Sequence, residues 1–195
     1  MEFQDVVRRR RMVRNFEDRP IPDETLDRIL DNALHAPSAG FSQGWAFLVL
    51  EGDEKKRFHD LTYPGHDDLG VYKAPVLIAC LSHKDAYLDR YTEPDKGWTD
   101  RDEARWPAPY WDIDTGFAAL LMLLTAVDAG LAAVFFGIAP DKIPAFKAEF
   151  GVPDAYHPIG AIALGYAAPD TPSPSLKRGR RSSAEVVHRG RWQSR

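Results

Sequence analysis

The segment DIDTGFAALLMLLTAVDAGL, residues 112–131, restricts the fold more than any other part of this sequence. It is apolar almost all the way round, and it predicts a helix over residues 113–129 that Gly130 ends. Such a helix has to be buried against several neighbours or against another chain. Its longest apolar stretch, residues 117–127, is too short to span a bilayer and is followed closely by Asp128. The sequence therefore predicts a water-soluble protein without a membrane partner.

Apolar runs elsewhere predict the sheet against which this helix packs. They are WAFLVLE at 45–51, KAPVLIACLS at 73–82, LAAVFFG at 131–137 and HPIGAIALGYA at 157–167. Residues 22–34 predict a helix that Pro22 opens and that stops before Pro37, and residues 141–151 predict a shorter one. Helices around a sheet, followed by a long tail, indicate one α+β domain over residues 1–195 that completes itself by dimerising.

Two segments do not follow these periods. Residues 82–111 are polar, studded with aromatic residues and without a sustained period, so they predict an insertion or lid. Its rings Trp98, Trp106, Tyr110 and Trp111 could form, with Phe41, an aromatic wall for a planar substrate, or a small core under a long loop. Residues 168–195 open with a Pro/Ser linker and end in an aromatic-capped segment that must pack on something. They predict an extended C-terminal tail.

The basic run RRRRMVRNF, residues 8–16, holds five arginines in seven positions. A helix that begins near Glu2 and ends near Arg11 would favour cations at its last turn. A nucleic-acid arm or a targeting signal is a second possibility, and a compact site for one phosphate is another, because the guanidinium fork matches phosphate oxygens. With 25 Lys+Arg against 29 Asp+Glu and a pI of about 5.9, the chain lacks the wider positive field that nucleic acid favours.

Composition sets the remaining bounds. The 195 residues suffice for one domain that buries roughly 70% of its unfolded surface. The single cysteine, Cys80, lies in an apolar run and excludes an intrachain disulfide. Because the N-terminus lacks the apolar core of a signal peptide, we expect a cytoplasmic protein. The scattered histidines offer no metal spacing, and no Gly-rich dinucleotide fingerprint follows a strand.

Taken in order, the motifs resemble those of the flavin-dependent nitroreductase family. The resemblance is carried by RRMVRNF, by LHAPSAGFSQGWAFLVL, by the buried helix that ends in GL, by GVPDAYHPIGAIALGYA and by RRSSAEVVHRGRW. It extends over nearly the whole chain outside residues 82–111. It implies a central, mainly antiparallel sheet flanked by helices, and a homodimer that binds FMN non-covalently at its interface.

The resemblance also implies the residues that hold FMN. Arg10 and Arg11 match the phosphate ligands, joined by Arg178 and Arg180 of the tail, and Arg14 matches a cation beside the flavin pyrimidine. Alternatives from the residues themselves are a surface ion pair of Arg14 with Glu17 or Asp18, and a plain turn role for Ser38. The other matching positions are Pro37, Ser38 and Ala39, a loop that the partner subunit extends over the flavin, and Phe135, Phe136 and Gly137, whose backbone approaches the ring.

Three departures from the family pattern concern the same site. Met12 stands where the family often has serine, so one phosphate hydrogen bond is lost or is supplied by Arg9. Phe41 replaces a common asparagine and adds apolar surface. Before the second strand, Asp67 or Asp68 could fill the place of polar residues that contact the ring in relatives. Gln43 and Trp45 match as well, but we interpret them first as loop hydrogen bonding and strand packing.

These features together predict an FMN-dependent oxidoreductase that works by two half-reactions. NADPH or NADH reduces the flavin and leaves, and a small planar acceptor such as a nitroaromatic or quinone then takes the electrons beside Phe41, Tyr110 and Trp111. The flavin carries the chemistry, so no side-chain nucleophile is expected. The alternatives are a reductive dehalogenase or a cofactor-biosynthesis dehydrogenase with residues 82–111 as its lid, and a non-catalytic flavin-binding or nucleic-acid-binding protein.

Overall fold

The computed structural model describes residues 1–66, 69–169, 171 and 173–193. Its centre is a four-stranded sheet in the order β1-β2-β4-β3. The strands are β1 (Trp45–Leu50), β2 (Val76–His83), β3 (Ala132–Phe136) and β4 (Tyr156–Gly165). Every neighbouring pair is antiparallel, and a register shift interrupts the β2–β4 ladder between Cys80 and Leu81. The predicted α+β fold with a mainly antiparallel sheet is confirmed.

Seven α-helices surround the sheet in the described part of the chain. They are α1 (Phe3–Arg9), α2 (Asp23–Leu34), α3 (Gly52–Thr62), α4 (Lys84–Tyr91), α5 (Tyr110–Asp128), α6 (Ile143–Phe150) and α7 (Ser183–Val186). The periodic segments that predicted α1, α2, α5 and α6 form helices, with ends that differ by a few residues from the expected ones. The segment 82–111 contains the end of β2, all of α4 and the start of α5.

Apolar side chains fill both faces of the sheet. On one face α2 and α5 pack through Ile29 and Met122 against Ile78 and Cys80 of β2. On the other face α3 and α6 pack through their phenylalanines against Leu77, Ala79 and Leu81 of the same strand. Successive residues of a strand point to opposite faces, so a strand covered on both sides is apolar throughout. This explains the unbroken apolar run of β2.

Helix α5 lies across the first face and is the centre of the domain. Its end is fixed by Gly130, whose φ of +74° places it in the left-handed region. The Leu131 and Gly130 N–H groups then donate to the carbonyls of Ala126 and Val127, at 2.8 and 3.1 Å, which closes the last turn as a Schellman motif. Among the described residues, α5 is the one helix long and apolar enough to cross a membrane, and half of it is buried inside the domain. A cytoplasmic location stays a prediction.

One stripe of α5 is not covered by the rest of the chain. Ile113, Phe117 and Leu120, spaced by three or four residues, are 37–44% exposed. The tail is also uncovered, with Leu176 and Trp192 at 70% and 80% exposure. The prediction that α5 packs against several neighbours is confirmed for its inner face, and its outer face stays available for another chain.

Candidate functional site

The arginine run leaves α1 at Arg9 and continues as an extended edge segment beside β3. The Val13 N–H donates to the Ala133 carbonyl at 3.1 Å, and Met12 pairs with Ala133 in a parallel bridge. Further along, Phe16 forms an antiparallel bridge with Ala167. Helix α1 therefore ends two residues before the expected Arg11, and the rest of the run lies along the open edge of the sheet.

The arginines divide by the partners that they have. Arg8 and Arg9 lie in the last turn of α1, where cations suit the helix dipole, and Arg8 pairs with Asp5 at 3.7 Å. In the described part of the chain, no side-chain hydrogen bond or ion pair involves Arg10, Arg11, Arg178 or Arg180. The helix-end interpretation thus accounts for the first two arginines, and the later ones keep their N–H donors for an external group.

The arginines of the extended segment point to two opposite sides of it. Arg11 and Val13 line a groove of about 240 Å³ at the C-terminal end of α5, together with Gly130 and Leu131. Because side chains alternate along an extended segment, Arg10, Met12 and Arg14 share the other side. Met12 packs against the apolar layers on both faces of the sheet and offers no hydrogen-bond donor.

The predicted flavin-contact segment at the end of β3 lies in the direction in which the arginine segment runs. Phe135 packs over Gly160, where a Cβ would meet its ring, and Phe136 packs edge-on against Phe58, with ring centroids 6.4 Å apart. Gly137 is exposed, and a Cβ built on it meets nothing within 4 Å. The backbone at the end of β3 is therefore open to an approaching planar group.

A turn before β2 closes the other side of the arginine segment. A Cβ on Gly70 would lie 2.7 Å from the Arg14 carbonyl oxygen, so only glycine allows the two backbones to approach this closely. The next residues lead to Tyr72, whose pKa burial raises to about 12 and whose ring lies 6.5 Å from that of Phe136. The expected polar contacts Asp67 and Asp68 lie outside the described residues.

The loop with Pro37, Ser38 and Ala39 lies at the opposite edge of the sheet, before β1. The Ser38 hydroxyl accepts a hydrogen bond from the Gln43 N–H at 3.0 Å, and the Ala39 N–H donates to Asp114 at 2.8 Å. Asp114 lies in the first turns of α5, whereas the groove that Arg11 lines adjoins Val127 near its last turn. At 1.5 Å per residue these ends are about 20 Å apart. One chain therefore holds the arginines and this loop at two distant places.

Comparison with known proteins identifies the family. The sequence profile of the nitroreductase family matches residues 7–166, which includes the arginine segment, the loop, α5 and the whole sheet. The chain belongs to the nitroreductase family. It is accordingly an oxidoreductase.

Individual relatives and solved structures match this chain over most of their length. A protein named NADH dehydrogenase from Thermus thermophilus is 29% identical over 180 residues, covering 82% of this chain and 84% of its own. A nitroreductase family protein from Clostridium difficile is 27% identical with a TM-score of 0.72, over 98% of this chain and 100% of its own. A protein from Desulfovibrio desulfuricans, solved in complex with FMN, is 24% identical with a TM-score of 0.74 over 99% of both chains.

The aromatic residues of segment 82–111 form a packed cluster. The Trp106 ring lies 4.6 Å from Tyr91, 5.5 Å from Trp98 and 6.1 Å from Trp111, measured between centroids. Trp111 is only 8% exposed, whereas Tyr110 is 36% and Phe41 75% exposed. Of the two interpretations, the arrangement favours a small core under a long loop, with Phe41 and Tyr110 at its surface. A role for these two rings and Trp111 in substrate binding stays a prediction.

Sequence reasoning did not single out three residues that shape the site: Gly70, Arg90 and Asp114. An aspartate inside an otherwise apolar helix was a readable signal for Asp114, which is 3% exposed and also accepts from Tyr87. Arg90, which donates to the Gly40 carbonyl at 2.9 Å, sits in a charged, aperiodic segment that gives no such signal. Within the described residues, no group of three or more His, Cys, Asp or Glu could hold a metal ion.

Proposed function

We propose that this nitroreductase is a homodimeric, FMN-dependent NAD(P)H oxidoreductase that reduces a small planar acceptor such as a nitroaromatic or a quinone. The observation that carries the proposal is that Arg10 and Arg11, on the extended segment beside β3, have no side-chain partner among the described residues. A chain with a net charge of −4 thus leaves these two neighbouring cations unpaired among the residues that the structure describes. That arrangement suits one external dianion, because arginine binds phosphate oxygens through paired, charge-assisted hydrogen bonds.

The second copy of the chain completes the site. A two-fold axis through the exposed stripe of α5 would cover Ile113, Phe117 and Leu120 with the same stripe of the partner. If the axis is perpendicular to α5, the two helices run antiparallel, so the partner's first turns are displaced toward the last turn of this chain's helix. The partner's loop would then approach the arginines that lie about 20 Å from this chain's own loop. In such a dimer, the arginines of one chain and the loop of its partner would lie close together.

The tail supports the same assembly. From Ser173 onward the hydrogen bonds of the described tail residues are local, as in the capping box where the Ser182 N–H donates to Glu185 at 2.7 Å and the Glu185 carboxylate also accepts from the Ser182 hydroxyl. The tail side chains from Leu176 onward are largely exposed, including Trp192. A segment with exposed apolar residues and little contact to its own domain is typical of one that packs on a partner. Arg178 and Arg180 would reach the phosphate from there.

The residues present fit FMN. Arg10, Arg178 and Arg180 would hold the phosphate, Arg11 would contribute from the groove beside α5, and the open backbone at Gly137 would lie against the ring. When bound, FMN supplies the two-electron transfer between the nicotinamide and the acceptor. The chain contributes binding, orientation and electrostatics. Met12 gives the phosphate no hydrogen bond, so Arg9 or the tail has to replace the serine of relatives.

Arg14 would tune the flavin instead of anchoring it. It runs with β3 toward the exposed end at Gly137, on the same side of the extended segment as Arg10. A guanidinium beside the flavin pyrimidine would stabilise the negative charge that reduction places there. The acceptor would then bind on the open side, against the exposed rings of Phe41 and Tyr110, because planar apolar molecules favour such surfaces.

The visible spectrum of the purified protein, with the released flavin identified, tests this proposal. We expect yellow protein that releases FMN and not FAD, and that oxidises NADPH or NADH when a nitroaromatic or a quinone is present. Product analysis separates reduction of the acceptor from reductive dehalogenation. Colourless protein that fails to bind added FMN would refute the proposed function.

A further inference from the structure

The loop before β1 has a backbone that most residues avoid. Its residues Gly40, Phe41 and Gln43 all have positive φ, at +62°, +58° and +50°. Glycine adopts this region freely, but an aromatic residue does so rarely, because Cβ crowds the backbone. A left-handed phenylalanine persists only where its surroundings hold it, and such positions cluster at functional sites.

Two side chains from outside the loop hold its backbone. Asp114 of α5 accepts from the Ala39 N–H at 2.8 Å, and Nε of Arg90 donates to the Gly40 carbonyl at 2.9 Å. Inside the loop, the Ser42 hydroxyl donates to the Ala39 carbonyl at 2.7 Å. The Ser38–Ala39 and Gly40–Phe41 peptide groups are therefore fixed by hydrogen bonds to Asp114 and Arg90, and the Ala39–Gly40 peptide between them is fixed by the Ser42 hydroxyl.

These two side chains are fixed in turn. The Tyr87 hydroxyl donates to the same oxygen of Asp114 at 2.9 Å, and burial, followed by this carboxylate, raises the pKa of Tyr87. Arg90 also donates two parallel hydrogen bonds to Asp95, at 2.6 and 2.7 Å, which lower the pKa of that carboxyl to about 2. Both anchors thus belong to preorganised networks of α4, α5 and the turn after α4.

The aromatic cluster of segment 82–111 forms the surface on which the loop lies. A Cβ on Gly40 would be 2.6 Å from the Tyr91 ring, and this ring packs on Trp98 and Trp106 at 4.9 and 4.6 Å. A Cβ on Gly44 would be 2.7 Å from the His83 carbonyl oxygen. Glycines at both ends of the turn let its backbone rest directly on this cluster.

Phe41 is the large apolar residue of this loop, and it is largely uncovered. Its backbone is held on both sides, yet 75% of the side chain is exposed. A fold that strains a backbone position to expose a large apolar ring has placed a contact there for another molecule.

We propose that segment 84–111 is a fixed buttress, and that Arg90 and Asp114 are positioning residues that set acceptor affinity by holding the loop that presents Phe41. The buttress does not open as a lid. This inference rests on the proposed function, because the acceptor is the molecule that Phe41 would contact across the dimer interface. The chemical class that such a ring selects is a flat, largely apolar acceptor.

The test uses the full-length, flavin-loaded protein and four variants. Arg90→Gln and Asp114→Ala remove the two anchors. Asp114→Asn keeps an oxygen that can accept from both Ala39 and Tyr87, so it should rescue the loop. Arg105→Gln is the matched control, since Arg105 makes a similar double hydrogen bond to Asp100, at 3.0 and 2.8 Å, without contacting the loop.

The first readout is amide hydrogen exchange of the peptide that contains residues 38–43. The second is steady-state kinetics with a naphthoquinone, together with the rate of flavin reduction by NADPH or NADH without acceptor. We expect Arg90→Gln and Asp114→Ala to exchange faster and to raise KM for the quinone by about tenfold, a typical loss for a hydrogen bond to a charged group. Flavin reduction, measured per bound flavin, should change much less than KM for the quinone, and Asp114→Asn and Arg105→Gln should behave like the wild type.

Several results would overturn the buttress. Unchanged exchange in both anchor variants would mean that the loop is held otherwise, and faster exchange with an unchanged KM would mean that the loop does not serve the acceptor. Should Asp114→Ala fail to fold, the Arg90→Gln variant decides, because Arg90 is only partly buried. A wild type that holds no flavin, or that does not oxidise NADPH or NADH, would instead overturn the proposed function, and the exchange data would still report on the loop.

Discussion

The two edges of the sheet are built in different ways. At the β1 edge the chain satisfies its own groups: the loop is held by Asp114 and Arg90, and the rings of segment 82–111 pack on one another. At the β3 edge the described residues leave Arg10 and Arg11 without side-chain partners, and the same holds for Arg178 and Arg180 of the tail. The β1 edge therefore has its polar groups paired within the chain, whereas the β3 edge keeps cations that can bind a ligand.

This difference assigns a separate function to each edge: one contacts a ligand through a preorganised surface, and the other binds an anion. A preorganised surface has its ordering cost met during folding, so it can contact a ligand without further rearrangement. Unpaired cations at the other edge favour an anion because they have no competing partner to release. Since the loop and the arginine groove adjoin positions about 20 Å apart along α5 within one chain, a second chain has to bring them together. The following predictions test that division, from the largest expected effect to the smallest.

Charges on the exposed stripe of α5 should have the largest effect. The double variant Phe117→Glu with Leu120→Glu would place unpaired carboxylates in the proposed interface, at several kcal/mol for each buried charge. We expect monomers that have lost most of their flavin, measured by light scattering and by absorbance. Ala145→Glu on the exposed side of α6 is the control and should leave the dimer intact. A flavin-loaded monomer would contradict the claim that the two edges have to come from two chains.

Removal of single arginines should weaken FMN binding. Arg10→Ala and Arg178→Ala should each cost roughly 1.5 to 3 kcal/mol, the range for hydrogen bonds to charged groups. Flavin fluorescence titration of the apoprotein measures this affinity. Arg8→Ala, in the same basic run but paired with Asp5, serves as the control and should bind FMN like the wild type. Wild-type affinity in both test variants would mean that these arginines serve another partner.

Strong periods in the sequence were enough to predict most of the fold. The four apolar runs form the four strands, and the helices with a clear apolar face form α1, α2, α5 and α6. Helix α3 was not predicted, because few of its side chains, such as Phe58 and His59, are buried in an otherwise charged segment. Helix α4 was not predicted either, since its buried residues Tyr87 and Leu88 are adjacent and form no helical stripe. The order of strands depends on tertiary packing that no local period reports.

The site was predictable only where residue type alone carries the chemistry. The arginines could be recognised as an anion site, but their division between helix end and extended edge depends on where α1 stops. The left-handed turn at Phe41 could not be read, because phenylalanine gives no signal for positive φ. The roles of Asp114 and Arg90 in holding the loop could not be predicted either, because their hydrogen-bond partners lie far away in sequence.

Arg14 should affect the redox potential more than binding. If its guanidinium lies beside the flavin pyrimidine, it interacts more strongly with the reduced anion than with the neutral oxidised ring. Arg14→Gln should then lower the midpoint potential by some tens of millivolts, where roughly 30 mV corresponds to 1.4 kcal/mol for a two-electron couple. A dye-coupled reductive titration measures it. An unchanged potential with full flavin occupancy would place Arg14 away from the ring.

Replacing Phe41 should have the smallest effect, and it should stabilise the protein, whereas the first two sets of substitutions weaken assembly or binding. Asparagine tolerates positive φ far better than phenylalanine, so Phe41→Asn should raise the free energy of unfolding by about 1 kcal/mol. Thermal denaturation with saturating FMN measures this change. Phe41→Ala is the control, because it removes the ring but keeps a residue that avoids positive φ. Equal or lower stability of the asparagine variant would mean that the left-handed turn stores no strain.

The central claim is that FMN binds at a site which two copies of this chain build together. Sedimentation velocity of the purified protein, followed at a protein wavelength and at a visible wavelength that flavin absorbs, tests it most directly. We predict one boundary in which flavin sediments with a particle of twice the 21.9 kDa chain mass, with one FMN per chain. Flavin that sediments with a monomer, or a dimer that carries no flavin after FMN is added, would contradict the claim.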